Sequence, residues 1–248
     1  MINKNKPNLV VLSGAGISQE SGLNTFRDTD GLWEGHKIED VATPEAWQKD
    51  KLMVLNFYNL RRKAVLDAIP NAAHLSLKKL EEHFNVQIIT QNVDDLHERA
   101  GSSNIMHLHG SILESRSIQN PSLIYPIKGA DLNIGDLCEL GSQLRPNIVW
   151  FGEDVPMIPH AAEWVKNATV FLIIGTSLQV YPAAGLIRYF SEQKTLYIID
   201  PKPMPFIRNS QTQHIQKAAV EGMVELEKML LEMLKLWELK KLSKLLLF

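Results

Sequence analysis

The sequence is poor in cysteine and has no long apolar run. Cys138 is the only cysteine among 248 residues, so an internal disulfide is excluded and a four-thiolate zinc site cannot form. No apolar run reaches the roughly 18 residues that a membrane span requires, and residues 9–12 are too short for the apolar core of a signal peptide. We therefore expect a cytoplasmic protein without a membrane span.

The sequence also lacks an excess of charge of either sign. It has 26 Lys and Arg against 28 Asp and Glu, which gives a formal charge of −2. Nucleic-acid-binding proteins usually carry a clear basic excess. No nucleic-acid partner is therefore expected, and the sequence leaves the oligomeric state open.

Short runs rich in β-branched residues alternate with segments of helical pattern. Such runs are typical of strands buried on both faces, and their alternation with helices indicates a parallel α/β sheet. The predicted strands are residues 8–13, 86–90, 105–108, 147–151, 169–174 and 195–199. With 45% apolar residues, the chain has ample material for a core around this sheet.

Two long stretches interrupt this alternation. Residues 28–71 are rich in Trp, charge and helical pattern, and residues 111–144 have weak periodicity with scattered Gly and Pro. We interpret both as a smaller helical and irregular domain inserted into the sheet domain. The sheet domain would then comprise residues 1–27, 72–110 and 145–248, and the small domain residues 28–71 and 111–144.

The C-terminal segment has the pattern of an amphipathic helix. Apolar side chains recur there at helical spacing, at Leu226, Leu230, Met233, Leu234 and Trp237. We expect this helix to pack on the sheet domain. Self-association and binding to a membrane surface are the alternatives.

A glycine turn follows the first predicted strand, in the sequence Gly14-Ala15-Gly16-Ile17-Ser18. Glycines at such a turn let backbone N–H groups approach a phosphate at a helix N-terminus, which indicates a nucleotide site. The hydride-transfer fingerprint is absent, because Gln19 stands where that motif has its last glycine. The alternative is a turn that merely joins a strand to a helix.

Polar residues also follow other predicted strands, and open α/β sheets bind ligands at the carboxyl ends of their strands. Asn92 and Asp94 are placed to bind a carboxamide, and His109 has a suitable pKa for a general base. Residues 175–177 and Asp200 follow two further strands, and Asp200 is placed to accept hydrogen bonds from ribose hydroxyls. The alternatives are helix caps for Asn92 and Asp94 and a structural role for the histidine.

These motifs, in this order and spacing, closely resemble the sirtuins, which are NAD-dependent protein deacylases. The resemblance runs from about residue 9 to 231 and is strongest to the bacterial class III branch. It implies a Rossmann-like large domain, a small domain and NAD consumed as a co-substrate. The motifs that carry it are Gly14–Ser18, Thr25-Phe26-Arg27, Asp30-Gly31-Leu32-Trp33, Thr90–Asp94, His107–Gly110, Val149–Glu153 and Gly175–Ser177.

Roles for individual residues follow from the resemblance. His109 becomes the general base. The cofactor contacts become Gly14, Ala15, Gly16, Ser18, Phe26, Arg27, Trp33, Gln91, Asn92, Val93, Asp94, Gly175, Thr176, Ser177, Asp200, Pro201, Lys202 and Ala218. Family members usually have Asn where Asp200 stands, and either residue can bond a ribose hydroxyl. The substrate contacts become Ala42, Tyr58, Arg61, Val149, Phe151 and Gly152.

Tyr58 and Arg61 bear on the acyl group that is removed. They stand three residues apart on a predicted helix and so share one face, where a guanidinium and a hydroxyl could bind a carboxylate. The alternative is a tyrosine at the edge of the core beside a solvated arginine. The resemblance favours recognition of succinyl- or malonyl-lysine, with Ala42 as a small pocket residue, because class III sirtuins carry this Tyr-x-x-Arg pair.

The zinc site is where the sequence departs from the family. Sirtuins carry two cysteine pairs after the catalytic histidine, whereas residues 111–143 contain only Cys138 and no histidine. We therefore expect no zinc. We expect packing to hold the small domain together, through Ile112, Leu113, Ile118, Leu123, Ile124, Tyr125, Leu132, Ile134 and Leu137.

The sequence thus predicts an NAD-dependent protein deacylase that acts on acyl-lysine proteins. It would remove acetyl and also succinyl or malonyl groups, and release nicotinamide and O-acyl-ADP-ribose. An ADP-ribosyltransferase or NAD hydrolase is one alternative, because it would need the same pocket. A non-catalytic NAD-binding regulator is the other, and the retained His109, Asn92 and Asp94 weigh against it.

Overall fold

The computed structural model describes residues 3, 5–24, 32–33, 36–204 and 211–245, with side chains left out for residues 32–33 and 237–245. The strands are β1 (Asn8–Ser13), β2 (Leu32–Trp33), β3 (His36–Lys37), β4 (Asn85–Thr90), β5 (Ile105–His107), β6 (Gly110–Ser117), β7 (Ile124–Pro126), β8 (Leu144–Ile148), β9 (Val170–Ile174), β10 (Leu196–Ile199) and β11 (Thr212–Ile215). The α-helices are α1 (Gly16–Gln19), α2 (Ile38–Val41), α3 (Pro44–Lys49), α4 (Lys51–Asp67), α5 (Ala72–Leu80), α6 (Leu96–Arg99), α7 (Ile158–Asn167) and α8 (Ala219–Leu245). A 3-10 helix spans Ala183–Tyr189.

A parallel sheet forms the larger part of the molecule, in the strand order β11-β10-β9-β1-β4-β5. Its central strand β1 is buried on both faces, because alternate side chains belong to different clusters of the core. Leu9 and Val11 pack in one cluster with α5 and α8, whereas Val10 and Leu12 pack in another with α7. This architecture confirms the α/β, Rossmann-like fold with a smaller sheet and helical region beside it.

Most of the predicted strands are confirmed. Residues 8–13 form β1, and the predictions at 86–90, 105–108, 169–174 and 195–199 match β4, β5, β9 and β10 to within a residue. The prediction at 147–151 is wrong. The strand there is β8 (Leu144–Ile148), which pairs antiparallel with β6 and takes no part in the parallel sheet.

A three-stranded antiparallel sheet, in the order β7-β6-β8, lies in the region that was expected to be irregular. The β6 to β8 pairing shifts register between Ser111 and Ser115, which interrupts the alternation of buried and exposed side chains. That sheet takes residues from both sides of the predicted boundary at 144, so the division into domains remains a proposal.

Gly110 is the joint between the two sheets. It follows His109 directly and begins β6, and its φ of +80° suits glycine because L side chains rarely adopt it. A Cβ there would lie 2.0 Å from the carbonyl oxygen of Asn147. On the other side of the joint, the Val149 N–H donates to the carbonyl oxygen of His109 at 2.9 Å.

Arg62 holds helix α4 against the small sheet. Its side chain is fully buried and donates to the carbonyl oxygens of Ile112 at 2.6 Å and Ala130 at 2.7 Å, and to Asn59 Oδ1 at 2.7 Å. Burial lowers the pKa of Arg62 to about 10, which still leaves it charged at neutral pH. The guanidinium therefore links the helix to two other segments of the chain.

The predicted packing of the small domain is partly wrong. Ile112 and Leu132 are buried, and Leu113 and Tyr125 are half-buried against the same cluster. Leu123 is half-buried, but Ile118, Ile124, Ile134 and Leu137 are exposed. Aromatic side chains fill the space instead, at Trp47, Phe57, Tyr58 and Trp150.

Helix α8 packs on the parallel sheet, as its apolar spacing predicts. Leu226 and Leu230 are fully buried in the core, and Met233 and Leu234 pack against it in part. The side chain of Trp237 lies outside the described residues. Among the residues described, no helix is both long and apolar enough to cross a membrane.

Candidate active site

A cavity of about 420 Å³ opens at the carboxyl ends of the parallel strands. It lies beside β1, which separates β4 and β5 on one side of the sheet from β9, β10 and β11 on the other. The strand order changes direction at this switch point, and open α/β sheets bind ligands at such a point. It brings together most of the residues that the sequence singled out: Gly14, Ala15, Gly16, Ser18, Ala42, Tyr58, Arg61, Gln91, Asn92, Val93, Asp94, His109, Val149, Phe151, Gly152, Gly175, Thr176, Ser177, Asp200, Pro201, Lys202 and Ala218.

Three predicted site residues cannot be placed. Phe26 and Arg27 lie outside the described residues, and for Trp33 only the backbone is described. Their roles remain predictions.

Two glycine turns pack directly on each other to form one wall of the cavity. A Cβ at Gly16 would lie 2.7 Å from Gly175 Cα, and one at Gly175 would lie 2.3 Å from the backbone nitrogen of Ile17. A Cβ at Gly14 would meet Thr176 Cβ at 2.6 Å. Both turns therefore require glycine, and they leave a wall of backbone and small side chains that a phosphate group can approach closely.

A buried set of hydrogen bonds joins Ser18, Asn92 and Asp94. Asn92 Nδ2 donates to Ser18 Oγ at 3.2 Å, and Ser18 Oγ donates to Asp94 Oδ2 at 3.0 Å. The other carboxylate oxygen of Asp94 accepts from the backbone N–H of Leu96 at 3.1 Å. Burial raises the pKa of the Asp94 carboxyl in spite of these bonds. The arrangement fixes an amide and a carboxyl side by side at the end of β4.

His109 is oriented by the carbonyl oxygen of Gln91, which lies 2.9 Å from its Nδ1. Because a carbonyl only accepts, this bond requires the proton on Nδ1 and leaves the lone pair on Nε2. Burial lowers the pKa of His109, although the bond to Gln91 acts in the opposite direction. The Gln91 carbonyl in this bond belongs to the backbone. The Gln91 side chain makes a separate hydrogen bond, in which Nε2 donates to Thr176 Oγ1 at 3.0 Å. A neutral imidazole with a basic Nε2 is thus the form expected at pH 7.

His107 has a different environment from His109, although alternation along a strand would place the two on one face. Its Nε2 lies 2.7 Å from Glu98 Oε1 and its Nδ1 lies 3.0 Å from the carbonyl oxygen of Asn92. Burial lowers the pKa of His107, but these partners outweigh it and the net shift is upward. The strand ends at His107, so the alternation does not extend to His109.

Asp200 directly follows strand β10 and lines another part of the cavity. Its side chain is buried and its Oδ1 accepts from the backbone N–H of Lys202 at 2.8 Å. The Nε2 of His214 lies 3.0 Å from its backbone carbonyl oxygen. The carboxylate is thereby held at the wall that Pro201 and Ala218 also line.

Tyr58 and Arg61 line the cavity from helix α4, as their spacing predicts. Tyr58 is fully buried, and its hydroxyl accepts a hydrogen bond from Trp150 Nε1 at 3.0 Å. Burial raises the pKa of Tyr58, so the hydroxyl stays protonated. Nearby, the backbone N–H of Phe151 donates to the carbonyl oxygen of Ala42 at 3.0 Å, which joins two walls of the cavity.

Sequence reasoning missed part of the lining. The additional residues are Gln19, Leu23, Asn24, Val65, Ile148, Trp150, Glu153, Val155, Val180, Tyr181, Pro182, Ile199 and Ala219. Trp150 and Glu153 stand inside the motif at residues 149–153 and could have been found there. Val65 and Leu23 carry no such signal, because only folding brings them to the cavity.

The described part of the chain contains no group of three or more His, Cys, Asp or Glu placed to hold a metal ion.

In a comparison with known protein families, residues 14–182 match the model of the Sir2 family. The chain belongs to the Sir2 family. It is 54% identical over 226 residues to an NAD-dependent protein deacylase of Helicobacter pylori strain ATCC 700392 / 26695, which covers 91% of this chain and 98% of that protein. It is 51% identical over 229 residues to one of Bacteroides thetaiotaomicron, covering 90% and 98%.

Solved structures of Sir2 proteins have the same fold. A Sir2 homologue in complex with NAD is 38% identical, with a TM-score of 0.82 and coverage of 92% of this chain and 90% of that one. A Sir2 mutant with a p53 peptide and NAD is 29% identical, with a TM-score of 0.75 and coverage of 90% and 92%.

Proposed function

We propose that this protein is an NAD-dependent protein deacylase that removes acyl groups from lysine side chains. The observation that carries the proposal is the imidazole of His109, which the Gln91 carbonyl holds with Nε2 unprotonated at the wall of a cavity at the sheet's switch point. Relatives at more than half identity over nine-tenths of the chain carry the name of this activity.

The residues of the cavity fit NAD as co-substrate. The glycine turns at Gly16 and Gly175 would accommodate the phosphates, because they pack on each other and present backbone to the cavity. Asp200 would accept from ribose hydroxyls, and Asn92 and Asp94 would bind the carboxamide of nicotinamide. When bound, NAD supplies an electrophilic ribose carbon for the amide oxygen of the acyl-lysine, together with a leaving group in nicotinamide.

His109 would act as the general base. Its Nε2 lone pair would accept a proton from a ribose hydroxyl, so that the oxygen can take over the acyl group. The buried walls would exclude water, which otherwise competes for the same ribose carbon. One water molecule would be consumed in a later step, when the lysine amine is released from the acyl carbon. The products would be free lysine, nicotinamide and O-acyl-ADP-ribose.

We propose further that the enzyme accepts succinyl- and malonyl-lysine as well as acetyl-lysine. Tyr58 supplies a protonated hydroxyl and Arg61 a cation, and both line the cavity from one face of α4. Arg62 is unsuited to this role, because its guanidinium is committed to Ile112, Asn59 and Ala130. The cytoplasm remains the predicted compartment and the absence of zinc remains a prediction.

The test is an NAD-dependent assay on acetyl-, malonyl- and succinyl-lysine peptides, with nicotinamide and O-acyl-ADP-ribose both quantified. We expect the two products in equal amounts. Nicotinamide without O-acyl-ADP-ribose would indicate an NAD hydrolase or an ADP-ribosyltransferase. Release of neither product with any peptide would favour a non-catalytic NAD-binding protein.

A further inference from the structure

Trp150 connects the small sheet to the part of the cavity that Tyr58 and Arg61 line. It follows β8 and is buried, with 2% of its surface exposed. Its Nε1 donates to the hydroxyl of Tyr58 at 3.0 Å, across 92 positions of sequence. An indole N–H can only donate, so the tyrosine oxygen must accept in this bond. The hydroxyl hydrogen of Tyr58 therefore points away from Trp150.

The indole is held in place from several directions. The Arg145 guanidinium lies over its ring at 3.3 Å from the centroid, and the Trp47 ring packs at 5.8 Å. Its backbone N–H donates to Glu153 Oε2 at 2.8 Å. Glu153 is itself paired with Arg145 at 2.7 Å and Arg116 at 3.1 Å. The position of the Nε1 donor is thus fixed by the surrounding structure.

The cavity wall places this donor beside the proposed acyl-recognition pair. Tyr58, Arg61 and Trp150 all line the cavity. Burial keeps the Tyr58 hydroxyl protonated by raising its pKa, and the Arg61 charge is close enough to act on that pKa. A carboxylate bound by Arg61 would therefore find a hydroxyl donor next to it, provided that the hydroxyl hydrogen is turned in that direction.

We propose that Trp150 is a positioning residue for acyl selectivity, whose indole N–H sets the direction in which the Tyr58 hydroxyl donates and so favours acyl groups that end in a carboxylate. The inference rests on the proposed function, and in particular on the removal of succinyl groups. Trp150 does not itself contact the reacting atoms in this proposal. It acts through Tyr58.

The test replaces the N–H and keeps the ring. Incorporation of β-(3-benzothienyl)alanine at position 150 puts sulfur in place of the indole N–H with little change of shape, and Trp150→Phe is the simpler variant. kcat and KM are measured on succinyl- and acetyl-lysine peptides at saturating NAD. We expect the ratio of succinyl to acetyl kcat/KM to fall about three- to tenfold, the value of one neutral hydrogen bond, mainly through a higher KM for the succinyl peptide.

A double-mutant cycle separates positioning from packing. In a Tyr58→Phe background the hydroxyl is gone, so the change at position 150 should alter the ratio no further. Trp164→Phe is the matched control, because Trp164 is a partly buried tryptophan that packs on α7's side of the parallel sheet. Its ratio should equal that of the wild type.

Equal losses on both peptides, or a full additional loss in the Tyr58→Phe background, would overturn the role of Trp150 and leave the deacylase proposal intact. A wild-type enzyme that releases nicotinamide with acetyl-lysine but not with succinyl-lysine would overturn both this role and the acidic-acyl proposal. A selective and non-additive loss supports the role.

Discussion

The ring of His74 meets the ring of His97 edge to face, with the centroids 4.9 Å apart. Both side chains are buried, and His97 Nε2 lies 3.0 Å from Ser13 Oγ at the end of β1. Burial lowers the pKa of His74 to about 4 and that of His97 well below 6.5. At neutral pH both imidazoles are therefore uncharged and form part of the core.

These histidines make the free energy of unfolding depend on pH. The unfolded chain takes up a proton on His74 near pH 6.5, whereas the folded chain does so only near pH 4. Stability is therefore complete above about pH 6.5 and falls as the pH drops toward 4, with about 3 kcal/mol from His74. Urea unfolding between pH 7.5 and pH 4.5 should show this loss.

His74→Gln should reduce that pH dependence. Glutamine cannot titrate, and it can still reach the Asn71 backbone N–H as a capping-box residue. The exposed His83 gives the control, since His83→Gln should keep the wild-type dependence. An unchanged pH dependence in His74→Gln would show that His74 does not carry the effect.

His109→Ala should lower turnover by about 10²- to 10⁴-fold, the usual contribution of a positioned base, and leave NAD binding largely intact. Deacylation is followed by nicotinamide release and NAD binding by calorimetry. His160→Ala, at an exposed position of α7, should behave as the wild type. Unchanged deacylation in His109→Ala would contradict the assignment of the base.

The pH profile of kcat/KM provides a separate measurement on His109. Only the neutral imidazole can accept a proton, and burial lowers its pKa below 6.5. Activity should therefore stay level from pH 8 down to about 6.5 and decline only at lower pH. A decline that begins above pH 7 would mean that a different group is titrating.

Arg61→Met should reduce desuccinylation by roughly ten- to a hundredfold, because a charged hydrogen bond to the substrate contributes about 1.5–3 kcal/mol. Deacetylation should fall much less, since an acetyl group has no carboxylate. Lys63→Met removes a charge from an exposed position of the same helix and should change neither rate. Equal losses on both substrates for Arg61→Met would mean that Arg61 is structural.

The purified protein should contain no stoichiometric zinc and should keep its stability after treatment with a chelator. The reason is chemical, because residues 111–143 provide one thiolate and no imidazole. Elemental analysis and thermal unfolding with and without chelator measure the two expectations. One tightly held zinc per chain would contradict the interpretation of this segment.

Truncation after Leu231 should lower stability without changing the number of subunits. It removes Met233 and Leu234, which are half-buried against the core, at a cost of about 1–3 kcal/mol. Denaturant unfolding and light scattering after size-exclusion chromatography would report the two quantities. A change from oligomer to monomer would instead place this helix at an interface.

The parallel strands could be predicted because both of their faces are buried, so that each is a continuous apolar run such as Val10 to Leu12. Strand β6 could not, because a register shift and polar side chains such as Ser115 and Arg116 remove its alternation. The sequence predicts strand β8 at residues 147–151 instead of Leu144–Ile148, because Arg145 and Pro146 are unusual in a buried strand.

The cavity residues were predictable where they follow a strand or stand in a motif, as Asn92 and Gly175 do. The link from Trp150 to Tyr58 was not, because it depends on how α4 docks against β8 rather than on local sequence. Nor does the sequence show that Arg62 is consumed by packing while its neighbour Arg61 faces the cavity.

The glycine joint at residue 110 places the proposed base at the junction of the two sheets. His109 is the last residue before the chain enters the antiparallel sheet. Its carbonyl oxygen accepts a hydrogen bond from the backbone N–H of Val149. The proposed base is therefore tied to both sheets, through Gln91 after β4 and through Val149 after β8.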